Sequence, residues 1–404
     1  MIDLERARRD TPATSDVVHL DNAGSSLPPA PVLDAAIGHL ELESRIGGYA
    51  AHAQNAESID RFYGAAAGLI GARPEEIAFC SSATRAWDMV FYAFPFERGD
   101  RILTSVADYI SNYIAYIQVS RRTGVEVITV PNDETGQMSV QALRERVDES
   151  VKLIAVTHVP TNSGLVNPIA EIGRVARDAG IPYLVDACQS AGQIPLDVDA
   201  IGCDALSATG RKFLRAPRGT GLLYARSSLL ERLEPPLLDM RAAEWVAADR
   251  FELRSDGRRF EEWEQDYAAK VGLARAIDYA LEWGIDAIWE RVHASGERLR
   301  ALLRELDGVT VHDPGEVRCG IVTFAVAGAP AERVKRMLAQ ERVTVSVAAA
   351  AHALIDAQER ALPDLVRASV HYFNTDEELE RAVECVRAAT RRRGTPRSRS
   401  AASG

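Results

Sequence analysis

The chain has 404 residues, 47% of them hydrophobic and 26% charged, with a formal net charge of -11. That is the composition of a soluble globular protein long enough for two or three cores, and its acidic balance argues against nucleic acid or an anionic membrane as partner, since those select clustered positive charge. A small molecule is the expected partner and the cytoplasm the expected location, because the opening MIDLERARRD is charged and no run of about 18 uncharged apolar residues occurs.

In chain order, EIAF (76–79), DRILTSV (100–106), VEVITV (125–130), LIAVTHV (153–159) and YLVDA (183–187) are apolar runs that predict buried strands. PIAEIGRVARDAG (168–180) lies between two of them with apolar residues at helical spacing. The alternation predicts an α/β fold, a mostly parallel sheet flanked by helices. GTGLLYA (219–225) enters a strand straight from a glycine turn and reads as a hairpin arm. The helical stretch YAAKVGLARAIDYALEWG (267–284) then leads to VTVHD, CGIVTFAV, an amphipathic AERVKRMLAQE, VTVSVA, RASVHYF and a last helix from Asp376. This second part predicts a smaller α+β C-terminal domain. The expected division is a large domain over residues 17–265, with its amino-terminal segment packed on the small domain, and a small domain over 285–390. A basic, Ser-rich tail over 391–404 is expected to be disordered. Five cysteines in contexts such as VDACQSAG and RAVECV are expected to be reduced thiols.

Only four of the 47 basic residues are lysines: Lys152, Lys212, Lys270 and Lys335. Lys212 stands apart in SATGRKFLRAPRGTG (207–221), just past the strand CDALSATG, while YLVDA ends near Asp186 at the neighbouring strand. In an open α/β sheet the carboxyl ends of adjacent strands form the ligand crevice, so an acid and an amine at those ends can face one ligand. A lysine amine that forms a Schiff base, with a carboxylate on the pyridine nitrogen, is what pyridoxal 5'-phosphate requires. FCSSATRAW places small residues where a helix opens after EIAF, so the amides near Ala83 and Thr84 and the Thr84 hydroxyl suit an anion, and equally suit a plain helix cap. The other three lysines are expected on strand edges or helix surfaces.

The ordered segments HLDNAG (19–24), SSAT (81–84), ADYISN (107–112), THVPTNSG (157–164), VDACQSAG (185–192), SATGRK (207–212), APRGTG (216–221) and RASVHYFNTDEE (367–378) resemble the class V aminotransferases. These are fold-type I enzymes dependent on pyridoxal phosphate and include the cysteine desulfurases. The resemblance implies that Lys212 bears the cofactor and shuttles the Cα proton. Asp186 would partner the pyridinium nitrogen and Gln189 the phenolic oxygen. Thr84 with the Ala83 amide, Thr209 and Arg211 would hold the phosphate. Arg218 is similar in position to a residue that reaches the neighbouring subunit's phosphate, which implies a homodimer with a shared active site. Arg367 looks like the clamp on the carboxylate of an amino-acid substrate.

Departures from the desulfurase pattern narrow the expectation. Tyr109 stands where desulfurases carry a histidine over the cofactor ring, so the flat support is kept and the imidazole is not. In THVPTNSG the asparagine falls one place late, so either Thr161 or Asn162 meets the phenolic side. The segment QERVTVSVAAAAHALID (340–356) lacks the loop cysteine that takes sulfur in a desulfurase, and Cys319 and Cys385 are expected in a strand and a helix. The GRK triplet, SVHYFNTDEE and IGGYAAH (46–52) are most similar to a subgroup of C-S lyases of the ergothioneine-pathway type. The implied reaction is β-elimination from a cysteine S-conjugate or its sulfoxide to pyruvate and ammonia, with no metal. Tyr49, His52 and Trp245 are candidates for the wall around the leaving group. An aminotransferase, a decarboxylating enzyme or an epimerase using the same apparatus stays open.

Overall fold

The computed structural model describes residues 2–391, so the tail expected over 391–404 lies, beyond Arg391, outside the described residues. The large sheet has seven strands: β1 (Ile77–Cys80), β2 (Arg101–Ser105), β3 (Glu126–Val130), β4 (Val151–Thr157), β5 (Tyr183–Asp186), β6 (Ala205–Thr209) and β7 (Gly221–Ala225). Their spatial order is β1-β7-β6-β5-β4-β2-β3. The strands from β3 to β6 pair in parallel, and β7 runs antiparallel to β6 and β1 as the hairpin arm. Every residue of β5, β6 and β7 is buried. Continuous burial rather than alternation is what a sheet covered on both faces requires, which is why these runs are apolar throughout.

Five helices matter for the site and its surroundings: α1 (Ala30–Ile46), α2 (Ala83–Phe91), α3 (Ile110–Thr123), α4 (Ile169–Ala179) and α5 (Tyr267–Trp283). α4 shows the local logic. Ile169, Ile172, Val175 and Ala176 make its buried stripe, and Gly180 closes it in the left-handed conformation at φ 67°.

A second, antiparallel sheet contains β8 (Val309–Val311), β9 (Ile321–Val326), β10 (Ser346–Ala348) and β11 (Leu365–Ser369), in the order β8-β9-β11-β10. Its core joins Val322, Phe324, Val366 and Ala368 to Val334, Leu338, Leu379 and Val383 from two covering helices. The amino-terminal segment packs here as well, with Val18 paired in parallel to Val343 and Leu20 in the same core. α5 belongs to both cores: Leu273 and Ile277 pack with the large sheet, while Tyr279 and Ala280 pack with the small one. Among the described residues no helix is long and apolar enough to cross a membrane.

Three local expectations are corrected, and one element was not anticipated. VTVSVA divides into Val343–Thr344 and Ser346–Ala348, the first pairing with the amino-terminal segment and the second with β11. Cys319 precedes β9 rather than lying in it, although Cys385 does lie in a helix. An exposed hairpin, Ala243–Ala247 with Arg250–Leu253, was not anticipated, although RFEL alternates polar and apolar residues. Lys270 is buried, not at a helix surface, with its ammonium donating to Tyr63 Oη at 2.8 Å and Gln265 Oε1 at 3.0 Å.

Candidate active site

The strand ends bring the chemistry together. Thr157 at the end of β4 is in register with Asp186 at the end of β5, and Asp186 with Ser207 in β6. A cavity opens there, and Lys212, Asp186, Gln189, Tyr109 and Thr161 line it. Ala83, Thr84, Thr209 and Arg211 line it too, so nine residues expected at the site from sequence share one wall.

Lys212 is buried with 7% of its surface exposed. Burial is the largest influence on its amine and lowers its pKa to about 8, with Arg211 and Arg367 pushing the same way and Cys188 and Asp186 opposing. Its Nζ lies 6.0 Å from the centre of the Tyr109 ring. The lowered pKa leaves a fraction of the Lys212 amine neutral at physiological pH, far more than an ordinary lysine offers, and the neutral amine is what forms a Schiff base.

Asp186 is held on both oxygens. Oδ1 accepts from the Cys188 amide at 2.9 Å and Oδ2 from Asn112 Nδ2 at 3.0 Å. The same Asn112 amide reaches Asp108 Oδ1 at 3.2 Å. Asp108 in turn accepts from Thr104 Oγ1 and Thr157 Oγ1, both at 2.5 Å, from Tyr116 Oη at 3.0 Å and from the Tyr109 amide at 2.6 Å. Burial raises the Asp108 pKa against these donors. The network fixes Asp186 and Tyr109 through one buried carboxylate. Sequence reading missed Asp108, Asn112 and Thr157, although the first two stand inside ADYISN; their four-residue offset at a helix start was the available signal.

Gln189 donates through Nε2 to the Ala23 carbonyl at 3.2 Å and to Thr161 Oγ1 at 3.1 Å, while its buried Oε1 has no partner. A buried amide oxygen without a partner in a cavity wall is an acceptor left for a ligand. At α2 the Ser82 hydroxyl caps the helix by accepting from the Arg85 amide at 3.1 Å. The Ala83 and Thr84 amides of the first turn remain at the cavity, where an anion is favoured. Gly221 makes the approach possible, because a Cβ there would lie 2.5 Å from the Ser82 carbonyl carbon and 2.7 Å from the Ala83 nitrogen. Arg211 reaches the Gly24 carbonyl through Nη1.

Arg367, on β11, joins the cavity through Thr161. Its Nη1 donates to Thr161 Oγ1 at 2.8 Å and to the Thr161 carbonyl at 3.0 Å, its Nε to Ser346 Oγ at 3.0 Å and its Nη2 to Asp21 Oδ1 at 3.4 Å. Thr161 therefore faces the cavity. Asn162 turns away and donates through Nδ2 to the Ala349 carbonyl at 2.8 Å, so it is not brought to the site. Arg218 is exposed and away from this chain's cavity. Tyr49 and His52 line a separate pocket with Trp263 and Tyr267, and Trp245 is 79% exposed on the hairpin. Within one chain none of these three forms a wall at Lys212.

A buried amine, a carboxylate fixed at the neighbouring strand end, an unpartnered amide oxygen and a helix start with free amides match pyridoxal 5'-phosphate in charge and donor chemistry. The fold and the site define a fold-type I pyridoxal phosphate enzyme. The chain belongs to the class V aminotransferase family, whose model, described as "Aminotransferase class-V", matches residues 18–382. It is 32% identical over 383 residues to a probable cysteine desulfurase of Methanothermobacter thermautotrophicus, covering 93% of this chain and 95% of that protein. The apo structure of a cysteine desulfurase from Thermococcus onnurineus NA1 superposes with a TM-score of 0.90 at 28% identity, covering 97% and 99% of the two chains. A cystine C-S lyase in complex with its product cysteine persulfide has a TM-score of 0.84 at 23% identity over 93% and 98%, a likeness of fold.

Proposed function

We propose that this chain is a carbon-sulfur lyase that carries out β-elimination on a cysteine S-conjugate or its sulfoxide, working as a homodimer with pyridoxal phosphate. The observation that carries the reading concerns sulfur. A desulfurase needs a thiolate to accept it, and residues 340–356 contain no cysteine. Among the described residues Cys188 is the one thiol lining the cavity, and burial first, then Asp186, pushes its pKa well above the ordinary value. A protonated thiol is a poor nucleophile, so sulfur leaves with its substituent instead of passing to the protein.

The bound cofactor supplies an electron sink for charge developing at Cα. Asp186 would hold the proton on the ring nitrogen, and Asn112 with the Cys188 amide keeps that carboxylate oriented. Tyr109, in the cavity wall beside Lys212, would offer its flat face to the cofactor ring. Thr84, the Ala83 amide, Thr209 and Arg211 would hold the phosphate, with Arg218 serving the site of the partner copy. Arg367 grips the substrate carboxylate by its planar fork, and Lys212 takes the Cα proton. The Cα–H and Cβ–S bonds break, the sulfur leaves as a thiol or sulfenic acid, and water completes the conversion to pyruvate and ammonia. The division into domains at 17–265 and 285–390 is part of this reading, supported by the two separate cores.

The test is the visible spectrum of the purified holoenzyme during turnover of S-substituted cysteines and their sulfoxides, with pyruvate measured in parallel. Pyruvate accumulating while the cofactor band persists is the expected result. Loss of that band without pyruvate would make the chain an aminotransferase.

A further inference from the structure

A further pocket of about 270 Å³ lies between α3 and residues 351–355. Its walls are Ile110, Ile114 and Ile117 on one side and Leu354 and Ile355 on the other, with His352 at the rim. Ile114 is 60% exposed, Ile117 43% and Leu354 57%. Three large aliphatic side chains bared around one concavity are the signature of an apolar ligand or partner.

Both walls are joined through the chain to active-site residues. Ile110 follows Tyr109, which lines the Lys212 cavity, and Asp108 closes the inner end of the pocket. On the other side Ser346 accepts from Arg367, and Ala349, three residues on, accepts from Asn162. The two cavities share no lining residue, but each wall of this pocket is the chain neighbour of residues assigned to hold the cofactor ring or the substrate carboxylate. It offers little to a charged group: five donor groups already occupy the Asp108 carboxylate, and Tyr113 Oη is paired with Thr129 Oγ1 at 3.2 Å.

We infer that this pocket receives the substituent on the substrate's sulfur, and that the preferred substrates are cysteines S-substituted with an uncharged apolar group, alkyl or aromatic. This rests on the lyase reading, and the test separates the two. Straight-chain 2-amino acids with a methylene in place of sulfur bind but cannot eliminate. Calorimetric Kd values on the holoenzyme should fall about fourfold per added methylene from 2-aminopentanoate to 2-aminooctanoate, and a terminal carboxylate should abolish the gain. Ile114→Asp and Leu354→Asp should each flatten this dependence. A flat dependence in the unsubstituted enzyme overturns the inference. So does a dependence left intact by both variants while sedimentation shows a dimer falling to monomers, since the patch would then be covered by a second copy. The matching S-alkylcysteines are assayed for pyruvate alongside. Affinity that grows with chain length without pyruvate overturns the lyase reading and leaves an apolar side-chain pocket; pyruvate with flat affinity overturns the pocket and leaves the lyase.

Discussion

Replacing Lys212 by Met should stabilise the cofactor-free protein, and the gain should depend on pH in a set direction. The Lys212 amine has its ordinary pKa of 10.5 when unfolded and about 8 when buried. Below pH 8 both states hold the proton, and the folded state carries the full cost of the buried charge. Between 8 and 10.5 the folded state has released the proton and the unfolded state still binds it, so stability rises with pH. The gap between 10.5 and about 8 corresponds to about 3 kcal/mol. Lys212→Met should therefore exceed the unsubstituted protein by about 3 kcal/mol at pH 7, with the difference closing toward pH 10.5. Urea midpoints of the two proteins at a series of pH values measure it, and taking the difference cancels Lys270, whose pKa burial also lowers to about 8. The same shift leaves roughly a tenth of Lys212 amines neutral at pH 7, so the rate of cofactor capture should rise with pH and level off above 8. A variant no more stable at pH 7, or a difference unchanged from pH 7 to 10, would refute the reasoning.

Borohydride reduction of the holoenzyme followed by peptide mapping should label Lys212 and leave Lys270 untouched, because Lys270 is engaged by Tyr63 and Gln265 and does not line the cavity; label on Lys270 would sink the site assignment. Thr161→Val removes the hydroxyl that accepts from both Arg367 and Gln189, and a lost hydrogen bond to a charged group predicts at least about tenfold weaker binding of 2-aminopentanoate by calorimetry, with a change under twofold counting against the carboxylate clamp. Arg300 and Asp313 form an ion pair at 2.8 Å with both side chains fully buried. Arg300→Met removes the cation paired with the Asp313 carboxylate, leaving it only the neutral donors Gly164 N, Thr323 N and Thr323 Oγ1. It should cost about 3–5 kcal/mol in urea unfolding, and the double variant with Asp313→Leu should recover part of that loss.

The strands of the large sheet were legible because a sheet covered on both faces needs continuous apolar runs, and YLVDA and LIAVTHV are such runs. Lys212 and Asp186 were legible for a related reason: each stands at or just beyond the end of a buried strand, and parallel neighbours bring such ends to one edge. Ala83 and Thr84 followed from the small residues that open α2. The hairpin at 243–253 went unread because its strands are short and solvent-exposed, so the alternation in RFEL has no buried face behind it. Lys270 was misplaced because helical spacing gives a residue's direction around the helix and not what Phe62 and Tyr63 of the Ala56–Ile70 helix, with Gln265, place against it. Asn162 and Thr161 are neighbours in sequence, and the choice between them depends on contacts with Ala349 and Arg367, 187 and 206 residues away. Local spacing determined which residues arrive at the strand ends. Which of them turns into the cavity, and what apolar wall stands beside it, was decided by tertiary packing, because a side chain's direction is set by the partners that take its hydrogen bonds.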